Sequence, residues 1–269
     1  MDFIQLLIIA IVQGVTEFLP ISSSGHLILI PKLTDLPDQG PLIDVAVHVG
    51  TLAAIIVYFW RDVSGLARGG LASVGIGAGR EGAAASRRLF WYIVAGTIPA
   101  VVAGLFLKTG GYLEGFRSTQ LVAVNLIFWG VVLGFADRFG KQVKTFEQAT
   151  LKDTVIIGLF QALALIPGTS RSGITMSAAR VLGYGRVESA RFSFLLSIPA
   201  IAGAGMLAVL DLADATAAMQ RDALIAGALT FVAAILTMVF LMRFLKKASM
   251  MVFVIYRIVM GVGLLLLVA

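Results

Sequence analysis

Two short polar runs interrupt hydrophobic stretches of this sequence, and they hold most of the side chains that could do chemistry. The first run, Ser22-Ser23-Ser24-Gly25-His26, comes shortly after Pro20, and the second, Gly168-Thr169-Ser170-Arg171-Ser172-Gly173, follows Pro167. A serine becomes a nucleophile when a neighbouring base takes its proton, and histidine is the usual base at neutral pH. The first run therefore predicts a nucleophilic serine with His26 as its base, although serines in such a run also cap helices.

Arg171 is the residue of the second run whose chemistry is most specific. Its guanidinium presents paired donors that match the oxygens of a phosphate group. The hydroxyls and backbone amides nearest to it in the sequence belong to Thr169, Ser170, Ser172, Gly173 and Thr175. The positive amino-terminal end of a following helix would point at the same place. The run predicts an oxyanion site, and a buried pair of Arg171 with Glu17 without a ligand is the alternative.

Gln13 and Glu17 lie four residues apart, which places them on one face of a helix. A carboxylate beside an amide can hold a hard divalent cation or orient a water molecule. The alternative is that both side chains only satisfy neighbouring backbone groups. His48, beside Gly50 in an apolar stretch, is interpreted as a packed residue. Combined, the two runs favour phosphoryl transfer, in which positioning and charge stabilisation carry most of the catalysis.

The elements that position these residues must lie in a membrane. The 269 residues are 59% hydrophobic and 13% charged, with a mean hydropathy of +0.96, whereas a soluble domain carries roughly 25% charged residues. Lipid is therefore expected to be the solvent for most of the chain. The lack of cysteine excludes thiolate chemistry, and two histidines are too few for a multi-histidine metal cage.

Six apolar stretches are long enough to cross a bilayer, which takes about 20 residues. They are Leu42–Trp60, Leu89–Lys108, Gln120–Ala136, Phe192–Leu210, Asp222–Leu241 and Met250–Val268. Two further stretches, 4–33 and 154–182, contain the polar runs. Broken backbone at membrane depth needs protein or water around it. We therefore interpret both stretches as re-entrant helical hairpins whose tips point into the protein, with kinked spanning helices as the alternative.

The loop charges predict an orientation. Fifteen of the 21 basic residues fall on one side of these spans, which the positive-inside rule assigns to the cytoplasm. The net charge of +6 is thus a topology signal and predicts no nucleic-acid partner. No cleavable signal peptide is expected, because the first residues lack a basic region.

The two halves of the chain have the same predicted order of elements. Residues 1–148 and 149–269 each hold one hairpin and three spans, and an odd number of crossings inverts the second half. Gln13 and Gln161 lie 148 residues apart, as do Ser24-Gly25 and Ser172-Gly173. The prediction is a single domain, an all-α polytopic membrane protein with an inverted-topology repeat. In such proteins the site lies near the midplane, where the broken helices meet.

At full length, both motifs resemble those of a known family. Gln13-Gly-Val-Thr-Glu17-Phe-Leu-Pro-Ile-Ser22-Ser23-Ser24-Gly25-His26 and Pro167-Gly-Thr-Ser170-Arg171-Ser172-Gly-Ile-Thr175 resemble the signature motifs of the undecaprenyl-diphosphate phosphatases of the bacitracin-resistance type. The likeness covers essentially the whole chain. It implies hydrolysis of undecaprenyl diphosphate to the monophosphate and inorganic phosphate, which recycles the lipid carrier of peptidoglycan and other envelope polymers. It also implies a site in the bacterial inner membrane that opens to the periplasmic face.

The resemblance implies a role for each matching residue. Ser23 matches the proposed nucleophile, His26 its partner base or acid, and Arg171 the phosphate clamp. Glu17 and Gln13 match a motif suggested for base work or for a divalent cation, Mg²⁺ or Ca²⁺. Many members carry glutamate where this chain has Gln13, so Glu17 is the single acidic candidate there. Supporting positions for phosphate are Ser22, Ser170 and Thr175, together with Ser24, Gly25, Thr169, Ser172 and Gly173.

Three other functions are alternatives to this one. Membrane phosphatases of the type-2 phosphatidate class share the Ser-Gly-His triplet, but they require Ser-Arg, five further residues and then histidine, and here that position is Ser177. A transporter or flippase of a phosphorylated polyprenyl lipid is the main alternative, because inverted repeats are typical of transporters. A purely structural membrane protein ranks last. Whether a phosphoserine forms or water attacks, and whether the chain is a homo-oligomer, stay open.

Overall fold

The structure, a computed structural model, describes residues 1–27, 39–112, 118–209 and 215–268. Within these ranges the regular structure is helical, apart from one isolated bridge between Lys144 and Tyr184. The helices are α1 (Phe3–Thr16), α2 (described over residues 23–27), α3 (Gly40–Tyr58), α4 (Trp60–Ser73), α5 (Ala83–Thr109), α6 (Thr119–Phe139), α7 (Leu151–Leu163), α8 (Arg171–Val181), α9 (Arg186–Val209), α10 (Ala217–Leu245) and α11 (Met251–Val268). A short 3-10 turn, Phe146–Gln148, precedes α7.

Four helices among the described residues are long and apolar enough to cross a bilayer: α3, α5, α6 and α10. By the length and composition of these helices the chain is a multi-pass membrane protein, and its described part is helical. Helices α9 and α11 coincide with the other two predicted spans, and α1 is a shorter apolar helix. The full arrangement of six spans and two re-entrant hairpins stays a prediction.

Helix pairs approach closely where glycine replaces a larger side chain. A Cβ atom on Gly50 of α3 would lie 2.4 Å from the carbonyl oxygen of Gly227 on α10. A Cβ atom on Gly158 of α7 would lie 2.3 Å from the carbonyl oxygen of Gly96 on α5. Because such contacts leave no room for a methyl group, these glycines set the spacing of the two helix pairs.

Apolar side chains lie on both the inside and the outside of the helix assembly. Phe18, Phe194 and Leu196 belong to the buried core, whereas Phe106 and Leu224 are exposed. Exposed large apolar side chains on long helices are the pattern expected for contact with lipid. The core includes residues on either side of the two polar runs, among them Leu19 and Met176, and so holds both runs in place.

Ion pairs gather at one end of the helices. Arg191 contacts Asp62 at 2.6 Å and Glu147 at 2.8 Å. Lys144 pairs with Asp153 at 3.2 Å in the first turn of α7. Burial alone would raise the pKa of Asp153, but the hydrogen bond from Tyr184 and the charge of Lys144 outweigh it and hold the pKa below its ordinary value. The carboxylate is therefore charged at neutral pH and anchors the start of α7.

Four helices differ from the predicted segments. Helix α5 begins at Ala83, before the predicted Leu89, and α9 begins at Arg186, before Phe192, since arginines continue a helix outside the apolar core. Helix α4 lies between the first two predicted spans, where no helix is predicted. Helix α8 begins at Arg171 and not after Gly173. Part of the predicted hairpin 4–33 lies outside the described residues.

Candidate active site

The breaks before α2 and before α8, here called the two tips, have the same backbone geometry. Ser22 has φ 76° and Ser170 has φ 69°, the positive-φ residues other than glycine in the described part of the chain. Each serine hydroxyl accepts a hydrogen bond from a backbone N–H three residues later, from Gly25 at 3.4 Å and from Gly173 at 3.1 Å. The two sets lie 148 residues apart. The similarity of the two runs in sequence is thus matched by the same local structure. In each run the strained serine caps the helix that follows.

The serine hydroxyls of each tip pair with each other. Ser22 Oγ lies 3.3 Å from Ser24 Oγ, and Ser170 Oγ lies 3.2 Å from Ser172 Oγ. Ser172 Oγ also donates to the carbonyl oxygen of Leu19 at 3.0 Å. The second tip therefore touches the first, as the sequence predicts for the meeting of the two runs.

Glu17 is the point where the predicted residues of both tips converge. Ser23 Oγ donates to Glu17 Oε2 at 2.7 Å, and Arg171 Nη2 donates to Glu17 Oε1 at 2.8 Å. Gln13 Nε2 donates to Oε2 at 3.1 Å. The Glu17 side chain is buried. A half-buried serine, a carboxylate and a guanidinium from the two halves of the sequence thus form one continuous polar group.

Further contacts hold the Arg171 guanidinium on its other side. Arg171 Nη1 donates to the carbonyl oxygen of Ser193 on α9 at 3.1 Å. Thr175 Oγ1 donates to Ser193 Oγ at 2.7 Å and to the Arg171 carbonyl at 2.8 Å. The guanidinium is therefore held between Glu17 and the Ser193 carbonyl, and its role as an oxyanion clamp stays a prediction.

Two buried oxygen atoms near the tips have no hydrogen-bond partner among the described residues. They are Gln13 Oε1 and Thr169 Oγ1, and both side chains are fully buried. Buried polar atoms are nearly always paired. A cation at Gln13 and a phosphate oxygen at Thr169 are the ligands that the sequence predicts for these atoms, and both stay predictions.

His26 is placed differently from its predicted role. Its Nδ1 donates to the Ser22 carbonyl at 2.7 Å, and its Nε2 lies 2.7 Å from the Tyr256 hydroxyl. The ring also stacks on Tyr256 at 5.7 Å between centroids. Since both ring nitrogens are engaged, the geometry pairs Ser23 with Glu17 and not with His26. His48 Nδ1 contacts the Asp44 carbonyl at 2.6 Å within α3.

Comparison with known proteins places the chain in a family. A family model described as "Bacitracin resistance protein BacA" matches residues 6–263. The chain belongs to the BacA family. It is 62% identical to an "Undecaprenyl-diphosphatase" of Erythrobacter litoralis, over 98% of this chain and 99% of the relative. Proteins of the same name from Ruegeria pomeroyi and Hahella chejuensis are each 49% identical, over 98% of both chains.

Arg257 is a residue of this BacA-family site that the sequence reasoning left out of it. The fully buried side chain donates to backbone carbonyls of both tips, to Pro20 at 3.2 Å, to Gly168 at 3.0 Å and to Thr169 at 2.9 Å. It also donates to the Leu126 carbonyl on α6 at 3.2 Å. One guanidinium therefore joins both tips to α6 and α11.

A signal for Arg257 does exist in the sequence. An arginine inside an apolar span is costly and is a functional candidate by default. Its neighbour Tyr256 and the distant Asn125, whose Nδ2 donates to the Pro167 carbonyl at 3.0 Å, carry no such signal. Their contacts depend on how α6 and α11 pack against the tips.

The oxygen atoms around Glu17 can be compared with those that bind a divalent cation. Among the described residues no group of three or more histidine, aspartate or glutamate side chains could hold a metal ion. Mg²⁺ in phosphate enzymes is commonly bound by one or two carboxylates together with substrate oxygens and water. Glu17 and the unpartnered Gln13 Oε1 supply hard oxygen atoms of that kind. The residues present in this BacA-family chain therefore fit such an ion.

Proposed function

We propose that this chain is an integral membrane phosphatase that hydrolyses undecaprenyl diphosphate to undecaprenyl phosphate and inorganic phosphate. The reaction recycles the lipid carrier for peptidoglycan and other envelope polymers and confers bacitracin resistance. Membership of the BacA family, full-length relatives named undecaprenyl-diphosphatase and a set of long apolar helices support this function. The partners are thus a polyprenyl diphosphate and the surrounding membrane lipids.

The contact of Glu17 with both Ser23 and Arg171 carries the mechanism. A hydroxyl that donates to a buried carboxylate can lose its proton to it, which activates the oxygen as a nucleophile. A guanidinium within the same group attracts the terminal phosphate of the substrate to the same place. Nucleophile, proton acceptor and phosphate clamp are therefore assembled before substrate binds.

In the proposed step, Ser23 Oγ forms a bond to the terminal phosphorus. The bond from that phosphorus to the bridging oxygen breaks, and its electron pair stays with the lipid monophosphate. Glu17 takes the serine proton, so Glu17 replaces His26 in this role. Water then cleaves the phosphoserine and releases inorganic phosphate.

The second tip is proposed to stabilise the charge that develops on the phosphate. Arg171 supplies two donors, and the first turn of α8 supplies the backbone amide of Ser172. The Thr169 hydroxyl, buried and without a partner among the described residues, is a further donor. On the first tip, Ser24 and Gly25 are proposed to lie beside the same phosphate. Since these groups are already in place, little reorganisation is needed during the reaction.

A divalent cation, Mg²⁺ or Ca²⁺, is proposed as cofactor. Glu17 and Gln13 Oε1 are the oxygens that would hold it. When bound, the cation neutralises charge on the diphosphate and so favours the approach of the nucleophile.

The finer architecture is also proposed. Six spans and two re-entrant hairpins, 4–33 and 154–182, form an inverted repeat of residues 1–148 and 149–269 in the bacterial inner membrane. The site opens to the periplasmic face. Support comes from the shared backbone geometry of Ser22 and Ser170 and from the contact of the two tips. The opposite end, with its arginine ion pairs, would face the cytoplasm.

A flippase of the same lipid is a second candidate function. The observation that favours it is the meeting of two equivalent broken helices, a geometry typical of transporters. Movement of the lipid without phosphate release would favour transport alone.

The test of the proposed function is phosphate release from undecaprenyl diphosphate by purified Arg171→Ala. We expect release to fall about 100-fold or more, because the variant lacks the charged donors of the clamp. Arg243→Ala, which changes an exposed arginine of α10, is the matched control and should retain normal turnover. An unchanged rate in folded Arg171→Ala would contradict the assignment.

A further inference from the structure

The two halves of the chain differ in one clear respect. Between α3 and α5 lie 24 residues, 59–82, and most of them form α4, whereas seven residues, 210–216, separate α9 from α10. Helix α4 is therefore an addition to the first half that the proposed repeat does not require. It also does not contribute a residue to the tips.

Helix α4 is amphipathic. Gly69 and Ala72 on its inner face are buried, and Gly69 approaches the backbone of Ser86 on α5 so closely that a Cβ atom would lie 2.1 Å from its carbonyl oxygen. On the outer face, Trp60 and Leu71 are exposed. They lie eleven residues apart, close to three full helical turns, and so share one stripe.

Arginines border this apolar stripe. Arg61 lies over the Trp60 ring, with Cζ 5.6 Å from its centroid, and Arg68 is exposed one turn before the end of the stripe. The whole segment carries Arg61, Arg68, Arg80, Arg87 and Arg88 against Asp62 and Glu81. An apolar stripe with a basic border is the pattern of helices that lie in the interface of a membrane.

Two of these arginines share a cavity. A space of about 180 Å³ between α4 and the start of α5 is lined by Arg68 and Arg80, with Leu71 and Ile76 on its apolar side. Glu81 also lines it and leaves one net positive charge. Beside the cavity, Val74 and Ile76 are 73% and 61% exposed. A group with one negative charge and an apolar tail is complementary to this surface.

We propose that the cavity between α4 and α5 binds the headgroup phosphate of an anionic phospholipid. Arg68 and Arg80 pair with the phosphate, and Leu71 and Ile76 contact the start of the acyl chains. Basic residues at a membrane surface attract anionic lipid, with an enrichment of about fivefold for each residue. The bound lipid thereby anchors α4, and with it the first half of the chain, at the membrane surface.

Native tryptophans allow a direct test, because the chain has three. Trp129→Phe removes the one on α6, which leaves Trp60 on α4 and Trp91, whose Nε1 donates to Ser73 at the end of α4 at 3.0 Å. The full chain is reconstituted in phosphatidylcholine vesicles with brominated phosphatidylglycerol or, at the same fraction, brominated phosphatidylcholine. We expect stronger quenching by the anionic lipid, consistent with at least a fivefold local enrichment.

The arginines are then changed in the Trp129→Phe background. Arg68→Gln with Arg80→Gln should abolish the preference, whereas Lys246→Gln with Lys247→Gln, which removes the same charge from another exposed turn, should keep it. Equal quenching by both lipids in the parent, a preference that survives in the arginine variant, or its loss in the lysine variant would overturn the proposal. Phosphate release, measured in the same vesicles, reports separately on the proposed function.

Discussion

Ser23, Glu17 and Arg171 show how a small polar group can work in an apolar interior. Each hydrogen bond in the group links a donor to a charged acceptor, and such bonds are about twice as strong as neutral ones. Ser23 and Arg171 lie at equivalent positions, 148 residues apart. The same local fold thus presents a nucleophile on one tip and a cation on the other, both directed at a carboxylate that only the first half carries.

Glu17→Gln keeps the shape of the side chain and removes its charge. We expect phosphate release to fall about 100-fold or more, the contribution typical of a general base. The measurement is phosphate release at saturating substrate, with thermal unfolding in detergent to confirm the fold. Asp222→Asn, a buried carboxylate that pairs with the amino terminus, is the control and should retain turnover. Normal turnover in Glu17→Gln would exclude Glu17 as proton acceptor.

Gln13→Glu tests the proposed cation. A second carboxylate beside Glu17 should strengthen binding of a hard divalent ion, because ligand charge raises its affinity. We expect the Mg²⁺ concentration for half-maximal phosphate release to fall by about tenfold. An identical Mg²⁺ dependence in both proteins would show that Gln13 does not face the cation.

At the scale of elements, the break before α2 and the break before α8 each depend on one serine. Ser170 combines a positive φ, which favours glycine, with a hydroxyl that caps α8. The stabilisation that the cap gives to α8 must therefore exceed the free-energy cost of the positive φ. Ser22 does the same for α2.

Replacement of Ser170 by alanine and by glycine separates the two effects. Ser170→Ala loses the cap and keeps the strain, so we expect a loss of about 1–2 kcal/mol. Ser170→Gly loses the cap and relieves the strain, so it should be the more stable of the two. The free energies of unfolding in detergent decide the order, and a less stable glycine variant would refute the argument.

At the scale of the whole molecule, Arg257 unites distant parts of the chain. Its donors meet carbonyls of residues 20, 125, 126, 168 and 169. The carbonyls of residues 20, 168 and 169 lie where a helix is broken and have no partner within a helix, whereas those of residues 125 and 126 lie within α6. A single guanidinium with five donors thus pairs the broken segments of both halves and joins them to α6.

Arg257→Lys is expected to loosen both tips, because an ammonium has three donors and cannot reach the same carbonyls. Each buried carbonyl left unpaired costs about 1–3 kcal/mol. The variant should therefore unfold at a lower temperature and release less phosphate. Arg243→Lys, at an exposed site on α10, should match the parent in both measurements. Parental stability and turnover in Arg257→Lys would contradict this role.

Much of the fold and of the site could be predicted from the sequence. Hydropathy is a local property, so apolar length predicts which segments form long helices. The proline and the polar residues after it predict where a helix must break. The motifs also identify Glu17, Ser23 and Arg171, because burial of such groups in lipid is costly without a function.

The sequence by itself determined the solvent, the breaks and the chemical groups of this protein, and only the tertiary structure decided their pairing. Whether the serine proton meets Glu17 or His26 depends on how the α1–α2 turn folds against α8. Whether Arg257 reaches both tips depends on the packing of α11 against α6. The physical reason is that a hydrogen bond needs atoms within about 3 Å. Chain segments more than 100 residues apart reach that distance only when the helices pack.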